Sequence, residues 1–376
     1  MVFNDRIEAL IEQVVKVLDT EDNVIRDEFT RFNTIYVGNI QPGRVTFELQ
    51  LTLPAIAQEL GYDLGRFFQD RLFNFEKTLE YRLWHREHIP DDSPLIGIYE
   101  MDYACHSLEY SMFGIQPQWL EGENPAYGKP ILHQREDLQR LKVPDFFQDG
   151  FMPRLIEDYY QVREGLQGRL ALGIRKSVQG PFQVATGLRG QENVFMEELT
   201  DPDFVLELME FAFQFHQNWV QGWEKLHGRS YGMFNIGDDD IDTRFTVPPR
   251  VFRKLILPMH VRYGETFESI HWHSCGDTNN VFQDIATVPH LKLLEIGPKD
   301  DAYAAAQIFA GSGVSFYKCP DPVSEIEQAQ PKAQEAMIEN VLKAGELVPI
   351  KILCETASLD KGLILLQKFR ETSGAR

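Results

Sequence analysis

The chain has few cysteines and no long apolar run, and each absence excludes a class of protein. Four cysteines in 376 residues are too few for a disulfide scaffold. No apolar run approaches the roughly 18 residues that span a membrane. The first six residues lack the basic and apolar regions of a secretory signal. We therefore expect a cytoplasmic protein whose thiols stay reduced and free to bind a metal.

Positive charge is also scarce. The 37 lysines and arginines face 57 aspartates and glutamates, which gives a formal net charge of -20. A nucleic-acid-binding surface needs clustered Lys and Arg, so this balance argues against one. The chain also lacks a P-loop and the G-x-G-x-x-G motif, so nucleotide cofactors are not indicated.

From about residue 93, strand-like runs alternate with helical patterns, which is typical of a parallel α/β sheet. Seven strands are predicted at 94–99, 170–175, 231–236, 269–273, 291–296, 314–319 and 348–354. We expect an eighth strand within 100–168, together with a helix near 146–164. Further helices are predicted at 202–226, 331–344 and 359–372. The best fit is a (β/α)8 TIM barrel, with a doubly wound open sheet as the alternative.

The first 90 residues look different from the rest. Amphipathic helical spacing dominates them, with one alternating run at 45–51 that predicts a strand. We therefore expect a mainly helical N-terminal arm or cap over residues 1–90. The catalytic barrel is expected over 91–376.

Polar residues stand at the carboxyl end of nearly every predicted strand. In β/α barrels the active site is built from these strand ends. The strand ends carry Glu100, Arg175, Asn235, Asp238, His273, Cys275, Glu295, Cys319, Cys354 and Glu355. The sequence therefore predicts a polar site at this end of the barrel.

A His-x-Cys pair and a distant cysteine predict a metal centre within that site. Side chains alternate along a strand, so His273 and Cys275 share one face. With Cys354 they offer one imidazole and two thiolates, a set that suits zinc and leaves the fourth position open, as in catalytic sites. Cys319 remains an alternative third ligand. His271 lies on the same strand face, where a hydrogen-bonded structural role is favoured.

Several short motifs, in this order, resemble the uroporphyrinogen decarboxylase superfamily, on its branch of zinc-dependent corrinoid methyltransferases. The resemblance covers about residues 170–360. The motifs are Gly180-Pro181-Phe182, Leu188-Arg189-Gly190, Gly237-Asp238-Asp239, residues 248–254 with Pro258, His273-Ser274-Cys275-Gly276 and Cys354. The resemblance to this superfamily implies a distorted eight-fold β/α barrel with His273, Cys275 and Cys354 as zinc ligands.

Two departures from the family pattern bear on the substrate. The decarboxylase proper has an arginine-rich segment after its first barrel strand, whereas residues 96–103 here are acidic and aromatic. Such a stretch would repel a tetracarboxylate porphyrinogen, so uroporphyrinogen is not the expected substrate. Cys354 is followed by residues 355–358 (Glu-Thr-Ala-Ser) rather than by glycines, which leaves the methyl acceptor open.

The resemblance implies methyl transfer between a small methylated substrate and a corrinoid. The chain has no Asp-x-His-x-x-Gly cobalamin motif, so the corrinoid (cobalamin) would come on a separate carrier protein. Aromatic residues near the strand ends favour a methoxylated aromatic substrate: Tyr99, Tyr103, Phe182, Phe234, Trp272 and Tyr317. The alternatives are a methylcobamide:thiol methyltransferase, a metal-assisted decarboxylase or lyase, and a non-catalytic binding protein.

Roles follow for the remaining strand-end residues. Three carboxylates could hold a proton for a leaving group or orient the ligating histidine; these are Asp238, Asp239 and Glu295. The predicted substrate-binding residues are Tyr99, Glu100, Arg175, Phe182 and Asn235.

Overall fold

The protein is described by a computed structural model over residues 3–26, 42–102, 107–176 and 178–374. Tyr103 and Cys105 lie outside these residues. The described strands are β1 (Val24–Ile25), β2 (Val45–Leu51), β3 (Leu95–Ile96), β4 (Ile98–Met101), β5 (Ala171–Ile174), β6 (Met233–Gly237), β7 (Ser269–His273), β8 (Leu291–Ile296), β9 (Ser315–Lys318) and β10 (Ile350–Thr356).

The helices fill the connections between these strands. They are α1 (Asp5–Thr20), α2 (Leu53–Glu59), α3 (Leu64–Gln69), α4 (Arg71–His88), α5 (Leu108–Met112), α6 (Arg135–Leu138), α7 (Met152–Leu166), α8 (Pro181–Arg189), α9 (Gln191–Thr200), α10 (Pro202–His227), α11 (Pro249–Val251), α12 (Leu257–Thr266), α13 (Phe282–Ile285), α14 (Ala302–Phe309), α15 (Pro331–Gly345) and α16 (Leu359–Ser373). Within the described part of the chain, no helix is both long enough and apolar enough to cross a membrane.

Parallel strands form the centre of the protein, and the predicted α/β class is confirmed. Six strands pair in the order β2–β10–β9–β8–β7–β6, and β4 pairs with β5. Every one of these ladders is parallel. This order is consistent with a β/α barrel, because β2 pairs with the last strand, although no ladder among the described residues joins β5 to β6.

The eighth strand is not where the sequence predicted it. The described part of 100–168 holds only the end of β4 and one isolated bridge, Gln118 with Ala126. The missing barrel strand is β2, which pairs with β10 over seven positions, from Ile350 with Val45 to Thr356 with Leu51. The alternating run at 45–51 was correctly predicted as a strand, but its partner is 300 residues away in sequence and no local pattern indicates it. The predicted boundary at residue 90, between an N-terminal arm and the barrel, stays a prediction. The ladder between β2 and β10 joins strands from the two sides of that boundary.

The other edge of β2 is covered by side chains rather than by β4. Among the described residues, no ladder joins β2 to β4. Instead the amides of Phe47 and Leu49 donate to the carboxylates of Asp92 and Asp91, at 2.9 and 2.7 Å. The amide of Leu51 donates to the Tyr81 hydroxyl of α4 at 3.4 Å. These bonds satisfy the backbone groups of an edge that has no neighbouring strand, and they leave a gap between β2 and β4 on the side of α4.

The seven strands predicted from residue 93 onward are confirmed. β7 and β8 match their predicted ends, and the first predicted strand is split into β3 and β4 at Gly97. The helix predicted at 202–226 is α10, which begins after Asp201. The Asp201 carboxylate accepts from the Phe204 amide at 3.3 Å, as an N-cap residue does. The helix ends at Gly228 in the left-handed region, φ 66°.

Candidate metal centre

The alternation of β7 sets the direction of the central histidine. Trp272 is fully buried and donates its indole N–H to His260 of α12 at 3.1 Å. Its neighbours His271 and His273 therefore point to the opposite, inner face of the sheet. The two histidines thus share one face of the strand, as the alternation in the sequence predicted.

His273 lies between two carboxylates. Its Nε2 is 2.5 Å from Asp239 Oδ1, and its Nδ1 contacts Glu295 Oε2. Burial alone would lower the pKa of His273, but the Glu295 and Asp239 carboxylates raise that pKa well above its usual value. The imidazole is thus held in one orientation by both of its nitrogens.

Cys275 completes a cluster of three ligand types. Its exposed Sγ lies 3.6 Å from His273 Nε2 and 3.6 Å from Asp239 Oδ1. The ligating atoms of Asp239, His273 and Cys275 all lie within 4.8 Å of one another. A carboxylate oxygen, an imidazole nitrogen and a thiolate sulfur are all ligands of zinc.

Glu295 stands behind His273 and belongs to a buried network. The Tyr317 hydroxyl of β9 donates to Glu295, and His271 Nε2 lies 3.0 Å from that hydroxyl oxygen. Burial favours a raised pKa for Glu295, but the adjacent His273 outweighs it and holds the pKa below its usual value. This carboxylate is therefore placed to orient the imidazole.

Asp238 was predicted as a catalytic carboxylate, and its side chain makes buried contacts on the side of α12. It accepts from the Gln183 amide at 2.8 Å and lies 2.7 Å from His260 Nε2. Neither Asp238 nor His260 is exposed to solvent. A Cβ at Gly180 would come within 2.4 Å of the carboxylate, so the glycine of Gly180-Pro181-Phe182 makes room for it.

The structure does not bring Cys354 to this cluster. Lys351, Leu353 and Glu355 line a cavity on the inner side of the sheet, so Cys354 faces the other way. It is fully buried in the main hydrophobic core. Cys319 follows β9 and is closer to the cluster, because its thiol contacts Glu295. Burial raises the pKa of Cys319 well above its usual value, and a negative charge on Cys275 would help to raise it.

The predicted substrate residues divide into two groups. Tyr99 and Phe182 are buried in the core: the Tyr99 hydroxyl donates to Asn74 at 2.6 Å, and the Phe182 ring packs 6.3 Å from that of Phe195. Three others are half-buried at the strand ends, namely Glu100, Arg175 and Asn235. Arg175 forms an ion pair with Asp102 at 2.8 Å.

No sequence pattern indicated a role for Glu109, whose side chain is buried in the structure. Its carboxylate accepts from the Gln179 amide at 3.0 Å, and the Gln179 side chain donates to the Tyr127 hydroxyl at 2.6 Å. Burial raises the pKa of Glu109 to about 8, although Arg175 lowers it. The residue belongs to a helix of five residues in a stretch without clear periodicity, so no sequence signal singled it out.

The fold and this cluster define a parallel β/α protein with a candidate metal centre at the strand ends. The sequence profile of the uroporphyrinogen decarboxylase (URO-D) family matches residues 102–317. This is more than half of the chain, and the chain belongs to that family.

The fold is similar to that of a methyltransferase from Methanosarcina mazei, with a TM-score of 0.64. The alignment covers 97% of this chain and 99% of that chain, at 16% sequence identity. At this identity the likeness establishes the fold. No protein of curated function matches the chain significantly.

Proposed function

We propose that the protein is a metal-dependent methyltransferase that moves a methyl group from a small methylated substrate to the corrinoid of a separate carrier protein. The observation that carries this is the cluster of Asp239, His273 and Cys275 at the strand ends of a URO-D family fold. The similar fold of the methyltransferase from Methanosarcina mazei supports the same reaction class.

The donor atoms fit zinc. Bonds of about 2.3 Å to sulfur and about 2.0–2.1 Å to nitrogen or oxygen separate two tetrahedral ligands by roughly 3.4–3.6 Å. The two distances from Cys275 Sγ, both 3.6 Å, match this spacing. The 2.5 Å between Asp239 and His273 is a hydrogen-bond length, which metal binding would replace. A thiolate and a carboxylate neutralise the divalent charge, and a fourth position stays open.

Each residue then has a distinct task. His273 would bind through Nε2, while Glu295 holds Nδ1 and fixes the tautomer, as carboxylates behind metal-bound histidines do. Asp239 and Cys275 would supply the anionic ligands. When bound, zinc supplies a Lewis acid for the oxygen that leaves as the methyl group departs. The methyl–oxygen bond would break with its electron pair on the oxygen, the methyl group would pass to the reduced corrinoid of the carrier, and a proton from solvent would complete the hydroxyl.

The third ligand is the point at which this proposal differs from the family pattern. The sequence favoured Cys354, whose side chain faces the helices. Asp239 supplies the third ligand atom in its place, and Cys319 lies next to Glu295.

Metal content tests the ligand set. We expect about one zinc per chain in the wild type, and at least a roughly tenfold loss after dialysis in Cys275→Ser and Asp239→Asn. Cys354→Ser is the matched control and is expected to keep its zinc. Loss of zinc in Cys354→Ser but not in Asp239→Asn would support the sequence-derived ligands instead. A wild type free of metal, purified without chelators, would overturn the metal mechanism.

Turnover tests the reaction. With 2-methoxyphenol as methyl donor and reduced cobalamin as acceptor, the wild type should release catechol only when cobalamin is present. Release of catechol without cobalamin would contradict methyl transfer to a corrinoid and favour hydrolysis of the ether, with the methyl group released as methanol.

A further inference from the structure

Two successive aspartates follow β6, and they contact different layers of the protein. Asp239 lies 2.5 Å from His273 in the metal cluster, whereas Asp238 is fully buried and lies 2.7 Å from His260 of α12. The ladder between β6 and β7 ends at Gly237. The direction of Asp239 therefore depends on the bonds made by the residues on either side of it.

Gln183 of α8 bonds to both sequence neighbours of Asp239. Its backbone N–H donates to Asp238 Oδ1 at 2.8 Å, and its side-chain Oε1 accepts from the backbone N–H of Asp240 at 3.1 Å. Gln183 is buried, and its own carbonyl accepts from the Tyr110 hydroxyl at 2.8 Å. One enclosed residue thus fixes the chain immediately before and immediately after the proposed metal ligand.

A second set of hydrogen bonds reaches Asp238 from α12 and has only one possible direction. An indole nitrogen can only donate, so Trp272 Nε1 donates to His260 Nδ1 at 3.1 Å. Since Nδ1 accepts, the ring proton lies on Nε2, which donates to Asp238 Oδ2 at 2.7 Å. None of these three side chains is exposed, so water does not compete for the bonds.

Backbone bonds tie the same place to α8 and β7. The Gly180 N–H donates to the Gly237 carbonyl at 2.7 Å, and the Asp238 N–H donates to the His273 carbonyl at 3.1 Å. The Asp238 carboxylate also accepts one of the first-turn N–H groups of α8, which have no partner within the helix. The motifs at 180–182 and 237–239, which are far apart in sequence, therefore meet beside the metal cluster.

We propose that Asp238, His260 and Gln183 are positioning residues, which hold Asp239 in the orientation in which its carboxylate binds the metal. Asp238 is enclosed and each of its oxygens accepts an N–H group, so it acts through Asp239 rather than on the substrate. This inference rests on the proposed metal centre, and it adds residues that do not touch the metal.

Cobalt(II) titration of the metal-free full chain measures the site without turnover. His260→Met removes the donor to Asp238, and Gln183→Met removes the acceptor for the Asp240 N–H. We expect each variant to weaken cobalt binding at least roughly tenfold, as loss of a group that orients a metal ligand does. His260→Gln places an N–H donor near the position of Nε2 and should restore wild-type affinity.

His216→Met is the matched control for a general disturbance of this layer. His216 is also fully buried, and its Nδ1 lies 2.6 Å from the hydroxyl oxygen of Tyr263, which belongs to the same helix as His260. We expect His216→Met to lose stability in urea unfolding but to bind cobalt with wild-type affinity. An equal loss of cobalt affinity in His216→Met and His260→Met would overturn the positioning role.

A double variant shows whether His260 acts through Asp239. Asp239→Ala removes the carboxylate ligand, so a residue that only positions this ligand has nothing left to position. We expect His260→Met/Asp239→Ala to bind cobalt as Asp239→Ala does, whereas independent effects would add. Additive losses would overturn the proposal. If His260→Met does not fold, Gln183→Met takes its place in this comparison.

The wild type separates failure of this inference from failure of the proposed function. Unchanged cobalt affinity in both His260→Met and Gln183→Met would overturn the positioning role and leave the metal centre in place. A wild type that binds no cobalt would overturn the metal centre and the positioning role together.

Discussion

At the scale of single residues, Glu198 of α9 is the clearest source of pH-dependent stability. It is 5% exposed, and its Oε2 has no hydrogen-bond partner among the described residues. Burial raises its pKa from 4.5 to about 7. The folded protein therefore holds this proton more tightly than the unfolded chain, and stability falls as pH rises from about 4.5 through 7.

We predict that Glu198→Gln removes the loss of folding stability that the wild type shows as pH rises. The pKa shift corresponds to roughly 3 kcal/mol, and screening by nearby solvent lowers the expected gain to about 1–2 kcal/mol at pH 8. Urea unfolding at pH 5 and pH 8 checks it, with a gain only at the higher pH. Glu192→Gln, at an exposed position of the same helix, is the control. A gain of the same size at both pH values would contradict the role of the carboxylate.

The direction of a side chain could be predicted within strands and not beyond them. Strand alternation predicted that His271 and His273 share one face of β7, and both lie opposite the buried Trp272. Asp238 and Asp239 follow the end of β6, where alternation no longer applies. One contacts His260 and the other His273, which only the tertiary structure decides. The same rule applies to Cys354 and Glu355, which were both assigned to the site. Adjacent residues of a strand face opposite sides, so only one of the two can point toward the cluster.

At the scale of elements, the edge of β2 depends on residues of another segment. The backbone N–H of Asp92 donates to the Phe47 carbonyl at 2.9 Å, and its carboxylate accepts from the Phe47 amide. Asp92 thus supplies the two hydrogen bonds that a residue of a neighbouring strand would make with Phe47. Because Phe47 is fully buried, loss of the carboxylate would leave its amide unsatisfied in the core.

We predict that Asp92→Ala lowers the free energy of unfolding by about 1–3 kcal/mol. Hydrogen exchange should show faster exchange of the Phe47 amide, with β7 and β8 unaffected. Asp22→Ala is the control, because Asp22 is exposed and lies outside β2. Unchanged exchange at Phe47 in Asp92→Ala would show that the carboxylate does not protect this edge.

Elements with a strong local pattern were predictable, and elements that depend on distant partners were not. β7, β8 and α10 carry their own apolar periodicity and end signals, and their predicted bounds agree closely with the structure. The role of β2 depends on seven pairings with β10, which the local sequence does not encode. Glu109 was missed for the same reason, because its neighbours come from other segments.

At the scale of the whole molecule, the cavity beside β2 and the metal cluster occupy different parts of one parallel sheet. The cluster uses the ends of β6 and β7, whereas the cavity uses β2, β10 and α4. Tyr317 and Glu295, on β9 and β8, connect them. The first 90 residues therefore contribute to the wall of this cavity as well as to the sheet.

This arrangement predicts that residues 91–376 do not form a stable protein alone. Their expression would leave the edge of β10 unpaired and remove α4 and β2 from the wall of the cavity. An open, apolar strand edge favours aggregation. We expect an insoluble fragment, or one without a cooperative melting transition, as measured by sedimentation and circular dichroism.

Co-expression of residues 1–90 as a separate chain supplies the control. If β2 completes the sheet, the two fragments should associate and recover a soluble complex with a single melting transition. A Glu48→Ala change in the short fragment should weaken that complex, since it leaves Lys351 buried without its partner at 2.9 Å. A fragment 91–376 that is soluble and melts cooperatively without the short chain would contradict this and favour an independent barrel with a separate N-terminal arm.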